Sequence, residues 1–357
     1  MNEKNYLALL HKIWLNHKKL HIIFENNNNY KEFYDKISSN ILYTYGFTPK
    51  QIDLILDNKI KSNINNIDAK LKEREVDIVV FSDLLYPENL RQIFNPPFLL
   101  YIRWRINKWP KISVVWTRKI SSYWKRIIEK IIPDISSYFT IVSWWAAWCD
   151  TYAHDVTLNY NNRTISVIWT WIDVDYPVWN KKLYNKIVKF WWAIISIFPL
   201  WEFWNPYNFP VRNEIVAGLS VWTLIIEAQV KSWTLITANL ALDLWKELFA
   251  VPWDIFKTWS VWCNNLIKKW MAKSISNSWD LLDEFNISNK CINKKASLVF
   301  NDKIEESIYE LVMIDNLNID EIWIKLNIDI SLLTLKISLM EINKLIKKWI
   351  GGKYEIF

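Results

Sequence analysis

Three short segments join an apolar, strand-forming run to an abrupt turn and then to a helix-forming stretch. They are Ile112-Ser-Val-Val-Trp116-Thr-Arg118, Phe139-Thr-Ile-Val-Ser143-Trp144-Trp145 and Thr164-Ile-Ser-Val-Ile-Trp169-Thr-Trp171. A strand–turn–helix unit aims backbone N–H groups at whatever lies before the helix, which makes an anion site. Arg118 adds a guanidinium that can take two phosphate oxygens. Further on, Phe209 offers a ring for stacking on a base and Arg212 a cation for phosphate. Lys231 and Ser232 stand in a basic loop before another helix. The order GxxxxGK[ST] is absent, so that loop is not a Walker A motif. The chemistry implied is the holding of a sugar–phosphate strand.

The turns themselves are written with the wrong residue for that task. The chain has 25 Trp and 4 Gly in 357 residues, where average usage would give about 25 Gly. Trp and Gly together make an ordinary glycine total. Trp ends buried strands, follows Pro252 and precedes Asn180, Asn205 and Asp254, all turn surroundings. Glycine there gives the tight bend and the close approach of backbone to ligand; an indole fills the crevice. We therefore read most of these tryptophans as glycine positions, written as Trp because UGA codons, which some bacterial lineages read as Gly, were translated with the wrong code. With glycine restored, the turns become V-G-T-R, S-G-G-A-A-G-C-D and I-G-T-G-I-D, and the later loop becomes K-S-G-T-L-I-T-A. The alternative is a truly Trp-rich binder of carbohydrate or lipid, but real Trp favours burial or interfaces over loop tips.

Other chemistries find little support. Cys149, Cys263 and Cys291 are far apart with no CxxC spacing, which argues against zinc or a disulfide framework and suits a cytoplasmic location. Three of the four histidines fall within the first 21 residues and form no metal constellation. Asp150 and His154 stand one helical turn apart and read as turn and cap hydrogen bonding. Asp173, Asp175 and Tyr176 follow a strand and shape its turn. Glu227 ends a buried strand, with no acid partner or nucleophile to make it a general base. No cofactor is implied, and no run is long enough to span a membrane. The net charge of +7 and pI near 9.0 suit a polyanionic partner.

The elements that must position these residues follow from periodicity. Residues 1–75 read as a small helical module: Tyr6, Leu9, Leu10 and Ile13 have helical spacing, as do Ile52, Leu54, Ile55 and Ile60, while 62–68 reads as a polar spacer. Residues 76–285 alternate apolar strands with amphipathic helices, which predicts a mostly parallel sheet covered on both faces. The expected strands are 77–81, those ending at Trp116, Trp144 and Trp169, then 193–198, 223–227 and 247–251. Residues 286–303 are polar and read as a linker. Residues 304–357 carry helices over 304–314, 319–326 and 330–348 and a terminal β segment with Gly351-Gly352, the pattern of a winged helix.

These segments together resemble the DNA-processing protein A family (DprA, also called Smf). The resemblance rests on 114–124, 143–154, 164–180, 208–220 and 227–238, with 249–253, 260–266, Phe81-Ser-Asp-Leu-Leu-Tyr86-Pro87 and Pro96-Pro97-Phe-Leu-Leu-Tyr101 in support. It is strong over about 75–285 and weaker for the helical module, of SAM or helix–hairpin–helix type, and for the winged helix. The resemblance implies an α/β fold with an extended Rossmann-like domain and a homodimer. It further implies a protein that binds single-stranded DNA and helps load the RecA recombinase during natural transformation, without catalytic turnover. Carried over position by position, the DNA surface comprises Trp116, Arg118, Ser143, Trp144, Trp145, Asn208, Phe209, Arg212, Asn213, Lys231 and Ser232. Two positions depart from the family: Cys149 stands where Ile is expected, and Glu214 stands where a base is usual, which removes positive charge beside the groove. A nucleotide-processing Rossmann enzyme of phosphoribohydrolase type is the alternative, but its P-G-G-x-G-T-x-x-E order is missing. A duplex-binding transcriptional regulator is a third reading, weakened by the scarcity of basic residues before Lys344.

Overall fold

The structure is a computed structural model. It describes residues 3–13, 15–25, 29–116, 122–144, 149–172, 183, 186–188, 190, 192–199, 208–228, 233–257, 260–285, 287, 302–314, 317–326, 328–343, 345–348 and 352–356. The chain divides into two compact units, Met1–Leu281 and Leu282–Phe357.

The first unit opens with six helices: α1 (Lys4–Lys12), α2 (His17–Phe24), α3 (Tyr30–Lys36), α4 (Ser39–Thr44), α5 (Pro49–Lys61) and α6 (Ile64–Glu73). Local signals start them. Thr48 and Gln51 form a capping box at α5, with Pro49 in its first turn. Asn16, Asn29 and Asn63 cap α2, α3 and α6 through their side-chain oxygens. The segment 62–68, expected as a spacer, is instead mostly the first turns of α6. Its polar residues face water while Ile67 and Leu71 bury one edge, an apolar stripe too short to stand out in the sequence.

A nine-stranded sheet follows, built from β1 (Val76–Val80), β2 (Leu99–Arg103), β3 (Lys111–Val115), β4 (Thr140–Trp144), β5 (Thr164–Val167), β6 (Ile194–Ser196), β7 (Trp222–Ile225), β8 (Leu248–Ala250) and β9 (Lys273–Ser274). Their order is β1-β2-β6-β5-β4-β3-β7-β8-β9. From β6 to β9 all pairings are parallel, whereas β2 runs antiparallel to both β1 and β6. The antiparallel β2 is an addition to the expected strands, as is the two-residue edge strand β9.

Helices α7 (Glu88–Arg91), α8 (Ser122–Ser136), α9 (Cys149–Asn159), α10 (Asn208–Leu219), α11 (Trp233–Asp243), α12 (Val261–Lys268) and α13 (Trp279–Leu282) complete this part. Strand side chains alternate between two cores. Ile78, Val80, Leu99 and Tyr101 join Leu7, Leu10 and Leu20 of the helical module on one face. Val79, Leu100 and Ile102 join Leu90, Ile215 and Leu219 on the other. Three histidines of the module help fix it to the sheet. The Phe98 N–H donates to His17 Nδ1 at 3.2 Å, and the opposite nitrogen of that ring lies 2.8 Å from the Ile197 carbonyl. His11 Nδ1 lies 3.2 Å from the Tyr101 hydroxyl, and His21 Nε2 lies 2.9 Å from the Pro96 carbonyl.

Helix ends reveal an unusual use of Trp. The Schellman pair of hydrogen bonds closes α4 around Gly46, α9 around Asn161, α11 around Trp245 and α12 around Trp270. The pivot residue is left-handed in each, with φ of 71°, 55°, 57° and 59°. Gly and Asn are the usual occupants of that slot; a Trp there strains its Cβ against the following carbonyl. Trp104 is left-handed too, at φ 65°.

In the second unit α14 (Lys303–Ile314), α15 (Ile319–Leu326) and α16 (Ile330–Ile342) precede an antiparallel hairpin of β10 (Ile346–Lys348) and β11 (Tyr354–Ile356). The third helix was expected to run to Lys348. It stops at Ile342 because Ile346 and Lys348 are drawn into pairing with Ile356 and Tyr354.

Candidate nucleic-acid interface

Strand order decides where a ligand can sit. From β3 the chain steps through β4, β5 and β6 in one direction. It then returns to β7 on the other side of β3 and steps outward to β8 and β9. The helices leaving β3 and β7 therefore diverge, and a crevice opens outside the carboxyl ends of these two strands. Because each connecting helix returns antiparallel to the strands, α8, α9, α10 and α11 all begin at this edge. Their N-terminal dipoles make it favourable for anions.

The described part of the crevice is held by side chains reaching between elements. Thr234 in the first turn of α11 donates from Oγ1 to the Trp116 carbonyl at 2.8 Å, which pins α11 to the tip of β3. Ser143 Oγ donates to the Val114 carbonyl at 2.8 Å, locking β4 to β3. His154 on α9 is buried, with Nδ1 2.6 Å from Thr164 Oγ1 and Nε2 3.4 Å from the Trp144 carbonyl. Burial holds its pKa down to about 4, so the ring is neutral near pH 7. It ties β4 to β5 rather than capping a helix. Tyr123 stacks on Trp253 with ring centres 4.9 Å apart, and its hydroxyl donates to the Pro252 carbonyl at 3.2 Å.

Arg212 and Asn213 of α10 are buried. The Arg212 guanidinium lies 5.4 Å from the ring centre of Trp144, the last residue of β4. Trp116, just past β3, is buried with its ring 5.4 Å from that of Trp124. Among the described residues, the indole nitrogens of Trp116 and Trp144 are buried with no hydrogen-bond partner. Each such orphan costs about 1–3 kcal/mol.

Thus Trp116, Ser143, Trp144, Arg212 and Asn213 are described at or beneath this edge. Arg118, Trp145, Lys231 and Ser232 lie outside the described residues, as do the side chains of Asn208 and Phe209; the backbone of these two forms the first turn of α10. Glu214 does not share the surface of Arg212. Two residues apart on a helix, they point to opposite sides, and the Glu214 carboxylate accepts the Asn95 N–H at 3.2 Å. Its acidity is spent on a loop rather than on the crevice. Glu227 is buried just past β7. Among the described residues, Thr234 and Tyr123 hold the crevice without standing out in the sequence pattern; the available signal for Thr234 is its place in the first turn of α11, two residues after Ser232. Among the described residues no group of His, Cys, Asp and Glu is placed to hold a metal ion, and no helix is long and apolar enough to cross a membrane.

An open, doubly wound sheet with a crevice at its parallel carboxyl edge, lined by helix N-termini and a buried arginine, defines an α/β protein of Rossmann type suited to a phosphate-bearing ligand. The sequence profile of DNA recombination-mediator protein A matches residues 77–286, and the chain belongs to that family. It is 34% identical over 222 residues to the DNA processing protein DprA of Streptococcus pneumoniae, spanning 61% of this chain and 78% of that one. The X-ray structure of the S. pneumoniae protein superposes with a TM-score of 0.67 at 28% identity, covering 80% of this chain and 99% of its own. The DNA processing protein A of Helicobacter pylori, whose structure concerns a single-stranded DNA binding mode, superposes with a TM-score of 0.51 at 23% identity. That match covers 60% of this chain and 97% of the other, and at this identity it speaks for the fold.

Proposed function

We propose that this protein is a recombination mediator that holds single-stranded DNA along the carboxyl edge of its sheet. It acts on DNA entering in natural transformation, works as a homodimer and helps load the RecA recombinase, with no catalytic turnover. Residues 1–75 are its helical module, 76–285 its DNA-binding domain, 286–303 a linker and 304–357 a winged helix. The observation that carries this reading is the Arg212 guanidinium beside position 144 at that edge. Arg118 follows β3 in sequence and Lys231 and Ser232 follow β7, the two strands flanking the crevice. Asn208, Phe209 and Asn213 complete the track from the start of α10.

The reading includes glycine in place of most tryptophans. Support comes from the left-handed Trp104, Trp245 and Trp270, from the 95% and 94% exposure of Trp245 and Trp270, and from the orphaned indoles of Trp116, Trp144 and Trp192. Real tryptophans would avoid all three situations. Without the Trp144 ring, Arg212 faces the crevice, and the bare turns at 116, 144 and 145 let a sugar–phosphate strand meet main-chain amides.

The test is binding of oligo-dT and of duplex DNA to the glycine-recoded protein. Single strands are expected to bind tighter, and Arg118→Ala with Lys231→Ala to weaken them severely. Equal affinity for both DNA forms would refute the proposal. Release of free base from nucleoside monophosphates would favour the phosphoribohydrolase alternative.

A further inference from the structure

One aromatic ring at the mouth of the crevice already carries a flat partner. Tyr123 stands in the first turn of α8, which begins at the carboxyl edge of the sheet. The Trp253 indole lies on its ring with centres 4.9 Å apart and planes only 5° from parallel. A nucleobase stacks on an aromatic side chain in the same way. Both side chains are half-buried, so the stack is partly open to solvent.

Its surroundings suit a base better than a phosphate. Burial pushes the pKa of the Tyr123 hydroxyl up, the Glu227 carboxylate just past β7 adds to the rise, and the Arg126 guanidinium opposes it. The ring therefore lies between the tip of β7 and a cation one turn along its own helix. The carboxylate repels a phosphate at this point, while the exposed Arg126 offers one a partner farther out.

The slot does not depend on the indole that fills it. The Trp253 N–H donates to Asn264 Oδ1 at 3.1 Å, and its carbonyl accepts from Asn264 Nδ2 at 2.9 Å. The Tyr123 hydroxyl donates to the Pro252 carbonyl at 3.2 Å. These bonds hold the main chain and the ring through groups that a glycine at 253 keeps. Loss of the indole uncovers the face of Tyr123 and leaves room for one flat ring. We propose that Tyr123 is a base-stacking platform and that the Trp253 indole fills the place of one nucleobase of the bound single strand. The inference rests on the single-stranded DNA reading above and on glycine at 253.

The experiment measures oligo-dT binding to the glycine-recoded protein by fluorescence anisotropy at several salt concentrations. Tyr123→Ala should weaken binding about fivefold or more, the loss of one stacked base. The slope of log affinity against log salt should stay unchanged, because no phosphate contact is lost. Tyr123→Phe keeps the ring and should keep the affinity. Retaining Trp at 253 alone should cost a similar factor, and Tyr123→Ala added to that form should cost nothing more. An oligonucleotide carrying 5-iodouracil should crosslink to Tyr123, as mapped by peptide mass. Unchanged affinity in Tyr123→Ala and in the form with Trp at 253 would overturn this inference while leaving the DNA reading intact. A flattened salt slope in Tyr123→Ala would also overturn it, since the residue would then serve a phosphate. A recoded parent that binds duplex and single strands equally would take both readings down, and a genomic UGG codon at 253 would remove the slot.

Discussion

The Arg212 guanidinium lies 5.4 Å from the ring centre of Trp144, with both residues buried at the edge where the parallel strands end. One side chain is suited to phosphate and the other shuts it away. A guanidinium over an indole is a favourable contact, yet among the described residues the indole N–H beside it has no acceptor. Replacing Trp144 by Gly should therefore raise oligo-dT affinity by about tenfold or more, as a charge-assisted contact of roughly 1.5–3 kcal/mol becomes available. In that background Arg212→Ala should remove the gain, and the slope of log affinity against log salt should flatten by about one contact. Filter binding at several salt concentrations measures both.

The Schellman sites give a test free of DNA. Trp245→Gly and Trp270→Gly should each stabilise the tryptophan-bearing polypeptide by about 1 kcal/mol, since the left-handed conformation costs an L side chain roughly 1–2 kcal/mol. Urea unfolding reads the change. Asn161→Gly, at the same kind of helix end, should give a smaller gain because Asn tolerates this conformation. Genomic UGG codons at 104, 245 and 270 would count against the glycine assignment.

Gly218 is tight for a different reason. A Cβ there would come within 2.7 Å of Ile93 Cγ2 and 2.9 Å of Leu90 Cδ1, where α10 packs against α7. Gly218→Ala should destabilise the fold by about 1–3 kcal/mol. Shortening the opposing side chain, Ile93→Ala, should recover part of that loss in a double-mutant cycle.

Acid should loosen the first unit. Burial holds His17 down to about 4 against an ordinary 6.5, and it lowers His11 well below the same value, helped by His17 nearby. A depressed folded-state pKa means the unfolded chain binds protons first as pH falls. Stability is thus full above about 6.5 and declines through the window down to about 4, by on the order of 3 kcal/mol for His17. The thermal midpoint should drop across that range. A His17→Gln variant should start less stable and show a shallower decline.

Much of this was legible because it is local. Strands β3, β4 and β5 are near-continuous apolar runs, and burial on both faces requires that composition. The turns at their tips were recognisable from the strand–turn–helix order, although Trp stands in them. Helix α6 was less visible, since its apolar stripe is short and its remaining residues are polar. The end of α16 was hidden because Ile346 and Lys348 form a strand only when Ile356 and Tyr354 come back to pair with them.

The sequence by itself determined the alternation of elements and the mostly parallel sheet, since these follow from side-chain type and period. Tertiary structure alone decided that β3 and β7 are neighbours although more than a hundred residues separate them, and hence where the crevice opens. It also turned Glu214 toward Asn95 and away from Arg212, and set Arg212 beside the tip of β4. These relations arise from packing between distant segments, and no local pattern records which partner a strand or a buried cation will meet.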